Sequence, residues 1–301
     1  MCWTDINMEL VTTVDEQNNR YSYKRYQGFP FNQEFVGNVG DHLDKIAKRE
    51  IREDDVLVGV FPKSGTHWLY NTVMMLRSGT LDYHGTPTLM DLQDFNIIEE
   101  MSSPRTFGAH MRFRFYPEQM KLGKGKVVTM IRNPKDVVVS LYHMLEEMED
   151  IGFRGTFERL VNIFVSEECM FGNGSWFSWI KDTEDWQSPN LLRLSYEDFL
   201  QNTYANVVKL AKFLEVDHDE EFLWSVTENI QFDKLKASHN RKTPPSDRWK
   251  HITEDGRLPI YRKGRIGEWK NMFTVAQSEE FDRIYKEKVE QMGLNLDVQF
   301  E

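Results

Sequence analysis

The sequence predicts an α/β fold, a parallel β-sheet covered on both faces by helices, and three features predict it. Residues 56–60, VLVGV, are apolar on both faces, as suits a parallel strand buried in the middle of a sheet. A tight turn follows, and then HWLYNTVMMLRS carries Trp68, Leu69, Thr72, Val73 and Leu76 at helical spacing. Further along, short apolar runs alternate with longer helical patterns, the rhythm of a parallel sheet that binds ligands at the carboxyl ends of its strands.

Residues 1–50 read as polar and irregular, with an aromatic cluster, YSYKRYQGFPF, that is expected to fold over a later part of the chain. Strand candidates after the first are PRTFGAH (104–110), KVVTMI (126–131) and LLRLS (191–195), the second of them bounded by GKGK and RNP. Helical patterns cover PKDVVVSLYHMLEEM, GTFERLVNIFVSE, YEDFLQNTYANVVKLAKFLEV and DEEFLWSVTEN. Residues 239–266 hold three prolines, two glycines and many charges, which reads as a long loop over a site rather than a domain linker. An amphipathic helix near 275–291 closes the chain.

With 301 residues, 40% hydrophobic and 13% aromatic, the chain has material for a large core in one domain or two. A formal net charge of -11 argues against nucleic acid as the main partner. The start, MCWTDINMELVTTVDEQNNR, has early acids and no apolar stretch of signal-peptide length, and no apolar run suggests a membrane span, so a soluble cytoplasmic protein is expected. Cys2 and Cys169 form no CxxC pair and the eight histidines show no HExxH spacing, so no metal site is expected.

Three stretches stand out as anion binders. In FPKSGTHW the strand–turn–helix geometry offers free backbone N–H groups and the positive end of a helix dipole to a phosphate or sulfate. A general P-loop reads GxxxxGK[ST], whereas the order here is Pro62, Lys63, Ser64, Gly65, Thr66, with no strand ending in an aspartate to hold magnesium; an ATP- or GTP-dependent P-loop enzyme is disfavoured. Taken alone, Lys63 and Ser64 also suit an ordinary turn that caps a helix. In IRNPKDVVVSLYH, Asn133, Pro134 and Asp136 explain a helix start, but Arg132 stays unexplained unless it meets an anion, with Ser140 about two turns away. A surface ion pair is the commoner role of a lone arginine. In YRKGRIGEWKN, Arg262, Lys263 and Arg265 surround Gly264 and suit a flexible loop closing on a second phosphate, or a solvated charge run.

Together these stretches resemble the cytosolic sulfotransferase family. FPKSGTHW is similar to its loop for the 5'-phosphosulfate, RNPKDVVVSLYH to its 3'-phosphate element and RKGRIGEWKNMFT to its C-terminal signature, with GSWFSW (174–179) and YEDF (196–199) in support, all in the family's order between about residues 56 and 280. The resemblance implies one domain over 1–301 with a P-loop-like core, residues 1–50 covering the acceptor and 239–266 closing as a lid. It implies transfer of a sulfuryl group from 3'-phosphoadenosine 5'-phosphosulfate (PAPS; product PAP) to a hydroxyl or amine of a small hydrophobic acceptor, without a metal. The weaker charge on a sulfuryl than on a phosphoryl group lets a cation clamp replace magnesium.

Residue by residue, the resemblance implies a catalytic set of His110 as general base, Lys63 at the leaving oxygen, and Ser140. Backbone from Ser64, Gly65, Thr66, His67 and Trp68 would hold the 5'-phosphate. Arg132, Ser140, Arg262, Lys263 and Gly264 would grip the 3'-phosphate. Trp68 and Phe232 would sandwich adenine, with Tyr196 bonded to the base; without the resemblance, these aromatics read as core. Two positions depart from the family: Gly108 stands where it has a lysine, with Arg112 or Arg114 as conceivable substitutes, and His67 stands where it commonly has a threonine. Lys270, Thr274, Val275 and Glu279 match its dimerisation motif KxxxTVxxxE and imply a homodimer, although Thr274 and Gln277 also form a capping box. Aromatic residues in YQGFPF, with Phe107 and Met144, suggest an apolar acceptor pocket. A nucleotide-binding protein of the same fold with little turnover is the first alternative, and a P-loop kinase the second.

Overall fold

The computed structural model describes residues 8–296 apart from 34, 36, 94, 149–151, 246–249, 251–255 and 259. The described part of the first fifty residues holds more regular structure than its polarity suggests. It forms strands β1 (Glu9–Val14), β2 (Arg20–Tyr26) and β3 (Phe29–Phe31), then a helix, Val39–Ala47. Gln27 and Gly28 connect Tyr26 to its partner Phe29 with φ of 50° and 82°, the two-residue turn whose twist matches antiparallel strands. Tyr21, Tyr23 and Tyr26, with the strand preference of aromatic residues, are buried among polar Ser, Lys and Arg neighbours, and that mixture reads as irregular in the sequence.

The central sheet is built from β4 (Val56–Gly59), β5 (Thr106–Ala109), β6 (Lys126–Ile131) and, after the short β7 (Phe153–Arg154) that pairs with β2, β8 (Leu191–Ser195). Its order is β5-β4-β6-β8 and every pairing is parallel. Each expected strand lies in it. Leu57, Phe107 and Val127 join one hydrophobic cluster, and Val56, Val58, Val128 and Met130 join the other, so alternate residues feed cores on both faces. The architecture is a single α/β domain.

The chain leaves β4 for β5 on one side and later returns to place β6 on the other. The strand order therefore reverses at β4, where open α/β sheets bind ligands at their carboxyl edge. The loops after β4, β5, β6 and β8 carry Lys63, His110, Arg132 and Tyr196 to that edge. Two helical readings need correction. The continuous pattern over 196–216 is broken at Asn202 into Tyr196–Gln201 and Thr203–Leu214, because the Asn202 side chain bonds Asp198 Oδ1 at 2.8 Å and its backbone leaves the helical region. The loop expected over 239–266 begins inside a helix, Phe232–Lys242; much of the remainder lies outside the described residues. Among the described residues, no helix is long and apolar enough to cross a membrane.

Candidate active site

A cavity of about 480 Å³ opens at the carboxyl edge of the sheet. Lys63, Gly65, Thr66, His67 and Trp68 line it from the first loop, Arg132 and Ser140 from the second element, and Arg262, Lys263, Gly264 and Arg265 from the third. His110, Tyr196 and Phe232 complete the wall. Of the residues singled out for the site, only Ser64 lies behind that wall, buried at 1% exposure.

The first loop curls tightly because Lys63 and Gly65 take left-handed conformations, φ 68° and 101°. A Cβ on Gly65 would stand 2.9 Å from Met130 Sδ and 3.1 Å from the Tyr196 ring, so only glycine lets the loop pass so close to the sheet. The helix Thr66–Ser78 starts immediately afterwards with no side-chain cap. Its first N–H groups are therefore available to an anion. Ser64 Oγ, Thr66 Oγ1 and Trp68 Nε1 are buried without a hydrogen-bond partner among the described residues. Buried hydroxyls left this way cost free energy unless a ligand engages them, and an oxygen-rich phosphosulfate has the chemistry to do so.

Arg132 joins the three elements. Its Nη1 donates to the Lys63 carbonyl at 2.9 Å, its Nη2 to the Arg265 carbonyl at 3.4 Å, and its guanidinium lies 4.3 Å from the Tyr196 ring centre. Asp136, in the first turn of the helix Pro134–Glu147, accepts the Gly267 N–H at 2.8 Å and the Trp269 N–H at 2.9 Å. Read from the sequence, Asp136 only favours a helix start; folded, it also fastens the third element beside the second. Lys63 is half-buried by surface exposure, but its ammonium sits deep among protein atoms. Burial first, then the like charges of Arg132 and Arg262, bring its pKa down from 10.5 to about 8, with Glu147 opposing. Burial likewise lowers Arg262 against the pull of Glu268, which lies 3.9 Å away and also pairs with Lys263. Cations crowded in this way are poised for an anion.

Gly264 (φ 63°) packs on Phe232 so closely that a Cβ would fall 2.2 Å from the ring. Gly264→Ala is expected to push Phe232 out of place and cost about 1–3 kcal/mol in strain. Differential scanning calorimetry with and without PAP checks this; a smaller PAP-induced rise in melting temperature than in wild type is the expected result. Trp68 packs edge-on against Tyr196 and Phe199, with ring centres 5.3 and 4.7 Å apart, and Phe232 meets Tyr261 at 6.0 Å.

His110 Nδ1 lies 2.7 Å from the Val60 carbonyl oxygen. A carbonyl only accepts, so Nδ1 carries a proton, and in the neutral ring the lone pair falls on Nε2. The His110 N–H donates to both oxygens of Asp91, at 3.2 and 3.3 Å. Asp91 was not singled out from the sequence, because nothing local marks a carboxylate that becomes important only once two distant segments meet. His67 is held neutral: burial, then the charges of Lys63, His110 and His239, push its pKa well below 6.5. It offers one N–H.

Gly108 is covered by the segment before Asp91. Its N–H donates to Thr88 O at 2.8 Å, its carbonyl accepts from Met90 N at 2.9 Å, and a Cβ would lie 2.7 Å from Leu89 Cδ2 and 3.1 Å from Pro87 Cβ. A lysine there would collide with this cover. Neither candidate substitute reaches the cavity: Arg112 donates to Asp182 at 2.6 and 2.9 Å, and Arg114 donates to the same carboxylate at 2.7 and 2.9 Å. Apolar side chains in the cavity lining include Phe35, Leu89, Met144, Met148, Met170 and Phe171. Met144 is where the sequence suggested, but Phe107 is not; it is fully buried in the core beneath Arg49. Phe29 packs on Phe115 instead, and the N-terminal segment reaches the cavity through Asn32 and Phe35. Lys270, Thr274, Val275 and Glu279 are all exposed, Val275 at 76%, and both hydrogen bonds of the Thr274–Gln277 capping box are formed.

A family model described as "Sulfotransferase domain" matches residues 53–293. Human sulfotransferase 4A1 is 32% identical over 268 residues, spanning 85% of this chain and 87% of its own length. Mouse sulfotransferase 2B1 is 32% identical over 281 residues, spanning 89% and 80%. The crystal structure of mouse sulfotransferase SULT7A1 complexed with PAP overlays with a TM-score of 0.73 at 26% identity, covering 91% of this chain and 95% of that one. Retinol dehydratase complexed with retinol and PAP reaches a TM-score of 0.75 at 18% identity, covering 96% and 99%, which is a likeness of fold. With a domain match over most of its length and relatives about a third identical across most of both chains, this chain belongs to the sulfotransferase family, the PAPS-dependent transferases.

Proposed function

We propose that this sulfotransferase moves a sulfuryl group from PAPS to a hydroxyl or amine of a small, largely apolar acceptor, by in-line displacement and without a metal. The observation that carries the reading is the meeting of Lys63, Arg132 and Arg262, from three distant parts of an acidic chain, in one cavity that also holds His110. When bound, PAPS supplies the sulfuryl group and departs as PAP. The amides of residues 64–68 would hold its 5'-phosphate at the helix start. Arg132, Ser140, Arg262, Lys263 and the Gly264 backbone would hold the 3'-phosphate, which separates this donor from ATP. Trp68 and Phe232 would flank adenine, with Tyr196 beside it. His110 Nε2 would take the acceptor proton as the new S–O bond forms. Lys63 would neutralise the charge that grows on the departing bridging oxygen, and Ser140 would help to orient it. The N-terminal segment would cover the acceptor through Asn32 and Phe35, and residues 239–266 would close over the nucleotide. The buried, unpaired thiol of Cys169 suits a reducing compartment, and we place the enzyme in the cytoplasm.

A second reading, a nucleotide-binding protein with little turnover, rests on Gly108 and on the engagement of Arg112 and Arg114 with Asp182. Incubation with sulfur-labelled PAPS and a panel of phenols, alcohols and amines separates the two. Labelled product that disappears in His110→Ala, while PAP still raises the melting temperature of both proteins, is expected. Thermal protection by PAP with no product under any condition favours the second reading. Greater protection by ATP with magnesium points to a P-loop kinase.

The exposed Lys270–Glu279 stretch would mediate a homodimer. Val275→Glu is expected to shift wild-type dimer to monomer in sedimentation velocity with kcat little changed, since Val275 lies outside the cavity wall. A wild type that sediments as a monomer at micromolar concentration removes this part of the proposal.

A further inference from the structure

Six cationic side chains, Lys63, Arg132, Arg257, Arg262, Lys263 and Arg265, line the cavity among the described residues, and one carboxyl group does: Asp91. It is 4% exposed. Other buried carboxylates are well supplied with donors. Asp55 pairs with Arg105, Asp182 with Arg112 and Arg114, Asp136 takes two backbone N–H groups, and Glu197 takes the Asn133 N–H and the Ser195 hydroxyl. Asp91 has no ion pair among the described residues. Apart from its own amide, both of its oxygens lean on one donor, the His110 N–H, at 3.2 and 3.3 Å. The ionisable side chains electrostatically linked to it are His110, His42 and Tyr116, and burial raises its pKa against the two histidines. A carboxylate removed from water with so few donors is costly unless a cation or further donors reach it. The cavity that Asp91 lines can admit one.

Its position is built into the fold. The segment Thr86–Gln93 lies against the edge of β5 through the Leu89–Gly108 bridge, and that pairing sets Asp91 over the His110 amide. Because Gly108 has no side chain, Pro87 and Leu89 can approach that closely. The same approach gives the acceptor end apolar walls and a single negative group beside the proton-accepting histidine.

We propose that Asp91 selects acceptors that carry a protonated amine on an apolar frame, binding the ammonium while a hydroxyl of the same molecule faces His110 Nε2. The inference rests on the proposed use of this end of the cavity for the acceptor. The amine is held and not sulfated; the ammonium has no lone pair to attack with. Matched acceptors test it: 3- and 4-(2-aminoethyl)phenol against 3- and 4-ethylphenol, which share ring and hydroxyl but lack the charge. Two quantities are measured for wild type, Asp91→Asn and Asp91→Glu, namely kcat/KM with PAPS and the calorimetric Kd with PAP present. Wild type is expected to favour the amine at least tenfold in one of the two pairs, since a hydrogen bond to a charged group discriminates by that much. Asp91→Asn, which still accepts the His110 N–H, is expected to abolish the preference, and Asp91→Glu to retain part of it. A wild-type ratio near one in both pairs, or a preference that survives Asp91→Asn, overturns the proposal. If no phenol turns over but Asp91-dependent amine binding persists, the selectivity stands and the catalytic reading of the cavity is what fails.

Discussion

Lys63→Met is expected to lower kcat by about 10² to 10³, the cost typical of removing one preorganised donor from a charge that develops in the transition state. Methionine keeps the length of the side chain and deletes the cation. PAP affinity is expected to fall less than kcat, because in PAP the oxygen on which Lys63 would act is one of several 5'-phosphate oxygens that the amides of residues 64–68 would also hold. The nucleotide-free variant should also melt higher than wild type, since burial and two neighbouring guanidinium groups oppose the Lys63 charge. Steady-state kinetics and calorimetry check these outcomes together. A kcat within tenfold of wild type would sink the role assigned to Lys63.

The same group sets a pH dependence. Its pKa of about 8 in the folded, nucleotide-free protein lies below the ordinary 10.5. As pH rises through about 8 the free enzyme loses the cation, so kcat/KM is expected to decline on the alkaline side, and the decline should be absent in Lys63→Met. For stability the sign is opposite. Between about 8 and 10.5 the unfolded chain holds the lysine proton that the folded chain has released, so this group makes the nucleotide-free protein more stable as pH rises across that window.

His110→Ala is expected to reduce kcat by about 10² to 10⁴ with a weakly acidic acceptor such as an alkylphenol. The loss should shrink as the acceptor becomes more acidic, because an already ionised phenolate needs no base. A nitrophenol panel run above the phenol pKa measures this directly. An equal loss for all acceptors would mean that His110 positions the acceptor rather than taking its proton. Retained thermal protection by PAP separates either outcome from a general collapse of the site, as His110 is not among the residues that would hold the nucleotide.

The fold class was legible because a parallel strand buried on both faces leaves an unbroken apolar run, as VLVGV does, while KVVTMI keeps a buried middle and LLRLS, at the edge of the sheet, exposes Arg193. The first three strands were not legible, because β1 is mostly exposed and in β2 Tyr, Lys and Arg mix without a clear apolar period. The cationic loops were legible as motifs because anion binding needs glycine, cation and helix start at fixed local spacing. Phe107 was misplaced for a different reason. Its type suits a pocket or a core equally, and only the face of β5 that it occupies decides between them.

The sequence by itself determined the strand–turn–helix units, the backbone freedom at Gly65 and Gly264, and the three cationic stretches, since these depend on neighbours within one turn of chain. Tertiary structure alone decided that Asp136 pins the third element beside the second, that Arg112 and Arg114 are spent on Asp182, and that Asp91 stands against His110. Each of these joins residues from separate segments, 19 positions apart in the closest case. Hydrogen-bond reach is about 3 Å, and no local pattern in the chain encodes which distant segments come that close.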